Sequence, residues 1–229
     1  MVAMQQDLFD LGVPDFSATK WTVKEITHET AGNWIPKYHY SGTIGAPNSR
    51  FFGLFAPDMV CVVGCGFSAN TAGLVSRFML ERWNGNKEIV RVAAHPTAPF
   101  NTPSKSVSMV CRLLRASGLE WVFSYADTGQ NHHGGIYQAL NAIYVGVSPA
   151  NQGYILDGEP VHGRRIVHMF GTRGVESPQL AAERGMKLEI IPDMNAEKHT
   201  YILPIGSPSV NRAIRKTLKK FAKPYPKRD

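Results

Sequence analysis

A chain of 229 residues with 43% hydrophobic and 19% charged residues carries enough apolar surface for a sizeable core and too little charge for a disordered segment, and its length suits one domain, or one domain with a small extension. The formal net charge of +7 is concentrated: residues 212–229 hold eight Lys or Arg against one acidic residue, so residues 1–211 are balanced. Cys61, Cys65 and Cys111 make no paired disulfide framework, no apolar run is long enough for a membrane span, and the acidic and polar N-terminus does not read as a secretory signal, so a reducing cytoplasm is the expected compartment.

Trp21 to Ile26 reads as a strand, and Glu29 to Tyr40 as a helix bent near Pro36 and ended by K-Y-H-Y-S-G. Ser49 to Phe55 and Met59 to Phe67 read as two strands joined by a hairpin at Ala56, Pro57 and Asp58. The C-x3-C spacing of Cys61 and Cys65 inside MVCVVGCGF puts both on one face of a buried strand, which favours core packing over metal binding. Glu88 to Ala94 is the next strand and Ser106 to Ala116 a helix. Trp121 to Ala126 is almost wholly apolar, the pattern of a strand covered on both faces. A polar, glycine-rich connector, Thr128 to Gly135, leads to a helix with Ile136, Leu140 and Ile143 as its packing face and Tyr137, Asn141 and Tyr144 as a more polar stripe. A strand around Tyr144 to Val147, a hairpin of Gly153 to Leu156 with Glu159 to Val161, and a closing strand pair, Lys187 to Ile191 and His199 to Ile205, complete the order. It permits an α/β (α+β) fold with a mixed sheet in a domain spanning 1–205. Residues 206–229 follow as a basic arm, helical as far as Pro224.

Asp127 is the first charged residue after the Trp121 strand, so its carboxylate stands where a buried strand meets a connector. It either caps that turn or serves a site. The wording around it, S-Y-A-D, then Gln130, His132 and Gly134, then I-Y-Q-A, then Tyr144 and Gly146, resembles the Mom family of phage DNA-modification proteins. One departure is Asn131, where glycine is expected. The resemblance runs over roughly residues 20–205. It implies a divergent GCN5-related N-acyltransferase fold, a mixed central sheet flanked by helices. It also implies an enzyme, phage or prophage encoded and working in a bacterial cytoplasm, that converts N6 of adenine in duplex DNA to the carbamoylmethyl form and so protects phage DNA from host restriction.

The same resemblance supplies a site. His39 and Tyr40 match a histidine-tyrosine pair that is linked in the family with the counterparts of Asp127 and Tyr137 around a bound iron. Imidazole, carboxylate and phenolate are suitable iron ligands, although a lone histidine near a helix end is more often a satisfied structural residue. The N6 amine is a weak nucleophile because its lone pair is delocalised. Asp127 is the candidate to accept or orient its proton, and Tyr137 the proton donor or oxyanion partner. The adenine must first leave the helix, with Tyr40 or Phe51 available to stack on it. In KEIVRVAAHP, strand alternation turns Arg91 to one face with Ile89 and Glu88 to the other with Val90, His95 sharing the arginine's face. The corresponding strand lines the donor site in acyltransferases, which makes Arg91 the donor anchor. Ser104 and Ser106, in the Asn101 to Ser108 stretch before a helix, are candidates to hold an anion there.

The glycine-rich pyrophosphate signature of coenzyme A binders is missing, which weakens acetyl-CoA as donor. A carbamoylmethyl group is the isomer of a glycyl group, so activated glycine such as glycyl-tRNA satisfies the atom count, and tRNA becomes a second expected partner beside double-stranded DNA. For DNA contact the candidates are Arg164, Arg165 and Arg173 in the VHGRRIVHMFGTRG stretch and Arg215, Lys219 and Lys220 in the basic arm. A homodimer is compatible with all of this. Two other readings stay open: an acyltransferase using acetyl-CoA on a small amine or protein, and a non-catalytic DNA-binding protein on an enzyme fold.

Overall fold

The structure, a computed structural model, describes residues 20–45, 48–67, 71–148, 151–161, 163–195 and 197–227. The N-terminal segment read above as acidic and polar lies outside them, as do His162 and Arg228. The chain clusters into two compact units, one of residues 1–125, 134–145 and 201–225 and one of residues 126–133, 146–200 and 226–229. No helix among the described residues is long and apolar enough to cross a membrane.

The fold is mixed α/β, as expected. Its strands are β1 (Thr22–Ile26), β2 (Arg50–Phe55), β3 (Met59–Phe67), β4 (Gly85–Ala94), β5 (Trp121–Asp127), β6 (Ile143–Ser148), β7 (Asn151–Leu156), β8 (Glu159–Val161), β9 (Leu188–Asn195) and β10 (Lys198–Pro204). Seven of them form one sheet in the order β1-β2-β3-β4-β5-β10-β6, and three form another in the order β8-β7-β9. β1 to β4 run as an antiparallel meander, after which β5 joins β4 in parallel. Such a connection needs a crossover, and helix α3 (Thr102–Ala116) supplies it.

The first unit packs helices on this sheet. Helix α1 (His28–Tyr38) starts where the Thr27 side chain accepts the Thr30 N–H, and it buries Ala31 and Ile35 against Phe51, Val62 and Ala93. Cys61 lies against Ser106 of α3, and Cys65 is close to Cys111 of the same helix. All three cysteines are buried, as the C-x3-C spacing suggested for Cys61 and Cys65. A second cluster gathers Leu74 and Phe78 of helix α2 (Thr71–Phe78), Trp121 and Phe123 of β5, Val145, Ile202, and Ile214 and Leu218 of helix α7 (Pro208–Leu218). Gly85 has no alternative residue: a Cβ there would stand 2.2 Å from the Trp121 indole.

Several elements differ from the sequence reading. Helix α2 has a short, small-residue sequence that gave no periodic signal. The Asn101 to Ser108 stretch is not a loop before a helix, because α3 already begins at Thr102. The helix expected after Gly135 is a single turn, α4 (Gly135–Gln138), and Ile143 and Tyr144 belong to β6. Their apparent helical spacing is coincidental with strand packing. The second unit holds two further helices, α5 (Gly163–Phe170) and α6 (Ser177–Ala182), around a core of Tyr154, Leu156, Ile166, Phe170, Ala181 and Leu188. The hairpin of β7 and β8 is as read. The closing pair is not a pair: β9 lies beside β7, whereas β10 lies between β5 and β6. The basic arm is also more than an arm, since Ile214 and Leu218 are fully buried.

Candidate active site

The geometry that matters is set by β4. Its parallel ladder with β5 runs only as far as Ile89 opposite Ser124, while β4 continues to Ala94 paired on its β3 side alone. The carboxyl ends of parallel strands, where two neighbours part, are where α/β sheets accept ligands. Across β3 the register passes from Cys65 opposite Ile89 directly to Gly64 opposite Arg91, leaving Val90 as the extra residue of a β-bulge. The bulge overturns the expected split of faces. With Val90 out of the alternation, Glu88 and Arg91 share a face, close enough for the Glu88 charge to act on the guanidinium. Nothing in I-V-R-V-A announces a bulge.

Arg91 is half-buried and ties this strand to the loop after α1. Its Nε donates to the Thr43 carbonyl at 2.9 Å, its Nη2 to the Thr43 hydroxyl at 3.2 Å, and its Nη1 to the bulged Val90 carbonyl at 2.7 Å. Burial lowers the guanidinium pKa, and nearby Tyr40 and Glu88 work against that. In the same loop the rings of His39 and Tyr40 stack with centroids 4.4 Å apart. Tyr40 is 53% exposed whereas Phe51, the other candidate for stacking on a base, is at 1% a core residue. His95 packs against Trp34 and Tyr38, and burial lowers its pKa.

At the last rung of the β4–β5 ladder, Ser124 donates its hydroxyl to the Ile89 carbonyl at 2.7 Å. Its oxygen is 2.5 Å from the Tyr137 hydroxyl. A serine has one proton, so with that proton on Ile89 the phenol of Tyr137 is the donor in the pair. Burial pushes the Tyr137 pKa upward, and the charges of Glu88 and Tyr40 add to it. The phenol is thus a protonated group sealed where the strands part. Ser124 was legible as the one polar residue inside the apolar Trp121 run, although it was not singled out. Behind Tyr137, Gly134 has a φ of +81°, and a Cβ on it would meet the Tyr201 ring at 2.3 Å. Tyr201 in turn receives a hydrogen bond from Gln138 at 3.1 Å.

Ser104 and Ser106 present no donors of the kind expected. The Ser104 hydroxyl donates to the Asn101 carbonyl, and buried Ser106 donates to the Thr102 carbonyl one turn back. Arg215 is also committed within the first unit, its Nη2 on the Asn141 carbonyl at 2.8 Å. The Tyr225 hydroxyl takes the next carbonyl, Ala142, at 2.6 Å, and the Lys223 N–H reaches the Tyr144 carbonyl at 2.9 Å. These three bonds brace the turn that follows α4 and its Tyr137.

In the second unit Asp127 accepts the Gly129 N–H on Oδ1 at 3.0 Å, capping the single 3-10 turn Thr128–Gln130. The Thr128 hydroxyl donates to the Glu197 carbonyl at 2.6 Å. Asn131, the departure from the expected glycine, adopts the left-handed conformation at φ 53° that asparagine tolerates, so the loop keeps a glycine-like path. His199 is held below its ordinary pKa by burial and by His133. Arg164 and Arg165 lie on α5, and Arg173 follows it with an exposed side chain. This unit carries eight basic and nine acidic residues, against seventeen and nine in the first. The excess positive charge therefore belongs to the first unit.

The iron implied by the family resemblance would fall to His39, Tyr40, Asp127 and Tyr137, and of these Tyr137 has surroundings that do not suit a metal ligand. His39 Nδ1 lies 2.9 Å from the Ser41 hydroxyl and 3.1 Å from the Ser41 N–H, contacts that fix the orientation of its ring. The Tyr137 oxygen is enclosed with Ser124 and held protonated. Among the described residues no group of three His, Cys, Asp or Glu side chains is placed to hold a metal ion.

The chain is thus a mixed α/β protein whose candidate site gathers where two parallel strands separate. It belongs to the Mom protein family, whose model matches residues 20–227. The methylcarbamoylase mom of Escherichia phage Mu is 32% identical over 164 residues, 66% of this chain and 67% of that protein. Solved structures of similar shape include an N-acetyltransferase from Staphylococcus aureus at 7% identity, covering 82% of this chain and 99% of that one with a TM-score of 0.45. An N-acyl amino acid synthase from uncultured soil microbes is 13% identical, with coverage of 89% and 99% and a TM-score of 0.45. A Bacillus subtilis acetyltransferase in complex with CoA is 11% identical, with coverage of 81% and 99% and a TM-score of 0.46.

Proposed function

We propose that this protein modifies the exocyclic N6 of adenine in duplex DNA, leaving a carbamoylmethyl group that shields phage DNA from restriction. Membership of the Mom family, with a phage relative named as a methylcarbamoylase, carries this reading. In it, the adenine is extruded at a cost of a few kcal/mol and stacks on the exposed Tyr40 ring. Asp127, at the carboxyl end of β5, takes the N6 proton as the bond to the donor carbon forms. Tyr137, hydrogen-bonded to Ser124, is the proposed proton donor or oxyanion partner. Arg91 keeps a positive charge beside the donor.

The donor is a glycyl ester such as glycyl-tRNA. The N6–carbonyl bond forms as the ester C–O bond breaks and the tRNA hydroxyl leaves with a proton; the glycyl adduct then isomerises to carbamoylmethyl, its N6–carbonyl and Cα–amine bonds breaking as N6–Cα and carbonyl–amine bonds form, with no change in composition. Acetyl-CoA would lack the nitrogen. Mass analysis of nucleosides from bacteria expressing the protein tests the reading. A new adenosine derivative with the added mass of a glycyl unit is expected, and unaltered nucleosides would refute it. Label from isotopic glycine in that derivative tests the donor separately.

A further inference from the structure

One face of α7 is explained by the core and the other is not. Ile214 and Leu218 are fully buried, with Val210 and Phe221 packed beside them. On the opposite side Arg212, Lys216 and Lys219 follow at spacings of four and three, which sets them in one row about 10 Å long. All three are exposed. From Lys198 to Arg228 the sequence has no Asp or Glu. Among the described residues, Arg212, Lys216 and Lys219 make no ion pair, unlike Arg50 with Glu25 and Lys187 with Glu189. Like charges at these spacings repel and weaken the helix that carries them.

The neighbouring cations are engaged differently. Arg215 bonds the Asn141 carbonyl, and Lys220 Nζ is 3.1 Å from the Met79 sulfur. They serve the fold, although the sequence alone suggested both as DNA contacts. The apolar side of α7 lies in the core, which excludes a helix lying in a membrane interface. A straight row of unpartnered charge on a rigid helix, on the unit that holds the excess of basic residues, fits a partner with regularly repeated negative charge.

We propose that Arg212, Lys216 and Lys219 form a ridge that tracks the phosphates of duplex DNA, with Arg215 and Lys220 as structural residues beside it. This rests on the adenine-modifying reading, in which duplex DNA is the substrate. Each phosphate neutralised releases counterions and adds about 0.9 to the slope of log affinity against log salt.

The test is the affinity of the purified protein for an unmodified duplex between 50 and 200 mM salt. The triple variant R212Q/K216Q/K219Q should lose about 2.7 from the slope, so its affinity should fall about 40-fold less than that of the unaltered protein across that range. It should also melt at the same or a higher temperature, because repulsion within α7 is relieved. Arg215→Gln should do the reverse, keeping the slope and lowering the melting temperature. A triple variant with an unaltered slope on duplex DNA overturns the ridge, and so does a change confined to tRNA. If the slope is unaltered while nucleosides are still modified in expressing cells, the ridge alone fails. If nucleosides are unmodified, the catalytic reading fails, whatever the slope.

Discussion

Ser124 and Tyr137 share one hydrogen bond, but losing either partner has unequal consequences. Tyr137→Phe leaves behind only a serine oxygen that still donates to the Ile89 carbonyl, and should cost about 1 kcal/mol of stability. Ser124→Ala leaves a buried phenol without an acceptor, and should cost about 1–3 kcal/mol. Urea unfolding midpoints should therefore order the proteins as unaltered, Tyr137→Phe, Ser124→Ala. Both variants should lose modification if the phenol donates a proton in the reaction. Asp127→Asn separates structure from chemistry in the second unit. An amide oxygen can still accept the Gly129 N–H, so the cap and DNA binding survive, whereas proton acceptance is lost. Modified nucleoside should be absent from cells carrying that variant, and full product formation would remove Asp127 from catalysis.

Elements show where local pattern was sufficient and where it was not. The Trp121 strand with Asp127 at its end, the β2–β3 hairpin and the β7–β8 hairpin were all legible, because apolar runs punctuated by turn residues report directly on strands. The faces of Glu88 and Arg91 were not, since a bulge depends on the register with β3 and leaves alternation in the sequence intact. Nor was the pairing of β10 between β5 and β6, which joins residues far apart in the chain. The basic segment was misread because its charges are conspicuous and its core residues, Ile214 and Leu218, are few. Its two halves should respond differently to truncation. Ending the chain after Asn211 removes both fully buried side chains, a loss of about 1.5–3 kcal/mol each, and should prevent stable folding. Ending it after Ala222 removes the Tyr225 and Lys223 bonds to Ala142 and Tyr144 and the packing of the Tyr225 ring on Tyr201, and leaves the buried face of α7 in place. That shorter truncation should fold, with a melting temperature reduced by a few degrees.

For the molecule as a whole, the buried thiols set an alkaline limit. Burial pushes Cys61, Cys65 and Cys111 up to about 12 from an ordinary value of 9.0. Each group is neutral when protonated, and its pKa is raised in the folded state. Its contribution is thus fully present below pH 9 and is lost as pH rises from there toward 12. In that window the unfolded chain has released protons that the native state keeps, so stability falls with increasing pH. Each thiol contributes a slope approaching 1.4 kcal/mol per pH unit, and between pH 9 and 10 the three together should remove roughly 3 kcal/mol, a large share of the 5–15 kcal/mol typical of a domain. All three lie in the first unit, as do the four tryptophans at positions 21, 34, 83 and 121, so indole fluorescence follows the unit concerned. Urea midpoints read by that fluorescence should hold steady from pH 7 to 8 and drop steeply above pH 9. Cys111→Ala should lower stability at pH 7 while reducing the alkaline slope by about a third. A midpoint independent of pH up to 10 would show that the thiols ionise in the folded protein, and that α3 does not shield them as its packing on β3 requires.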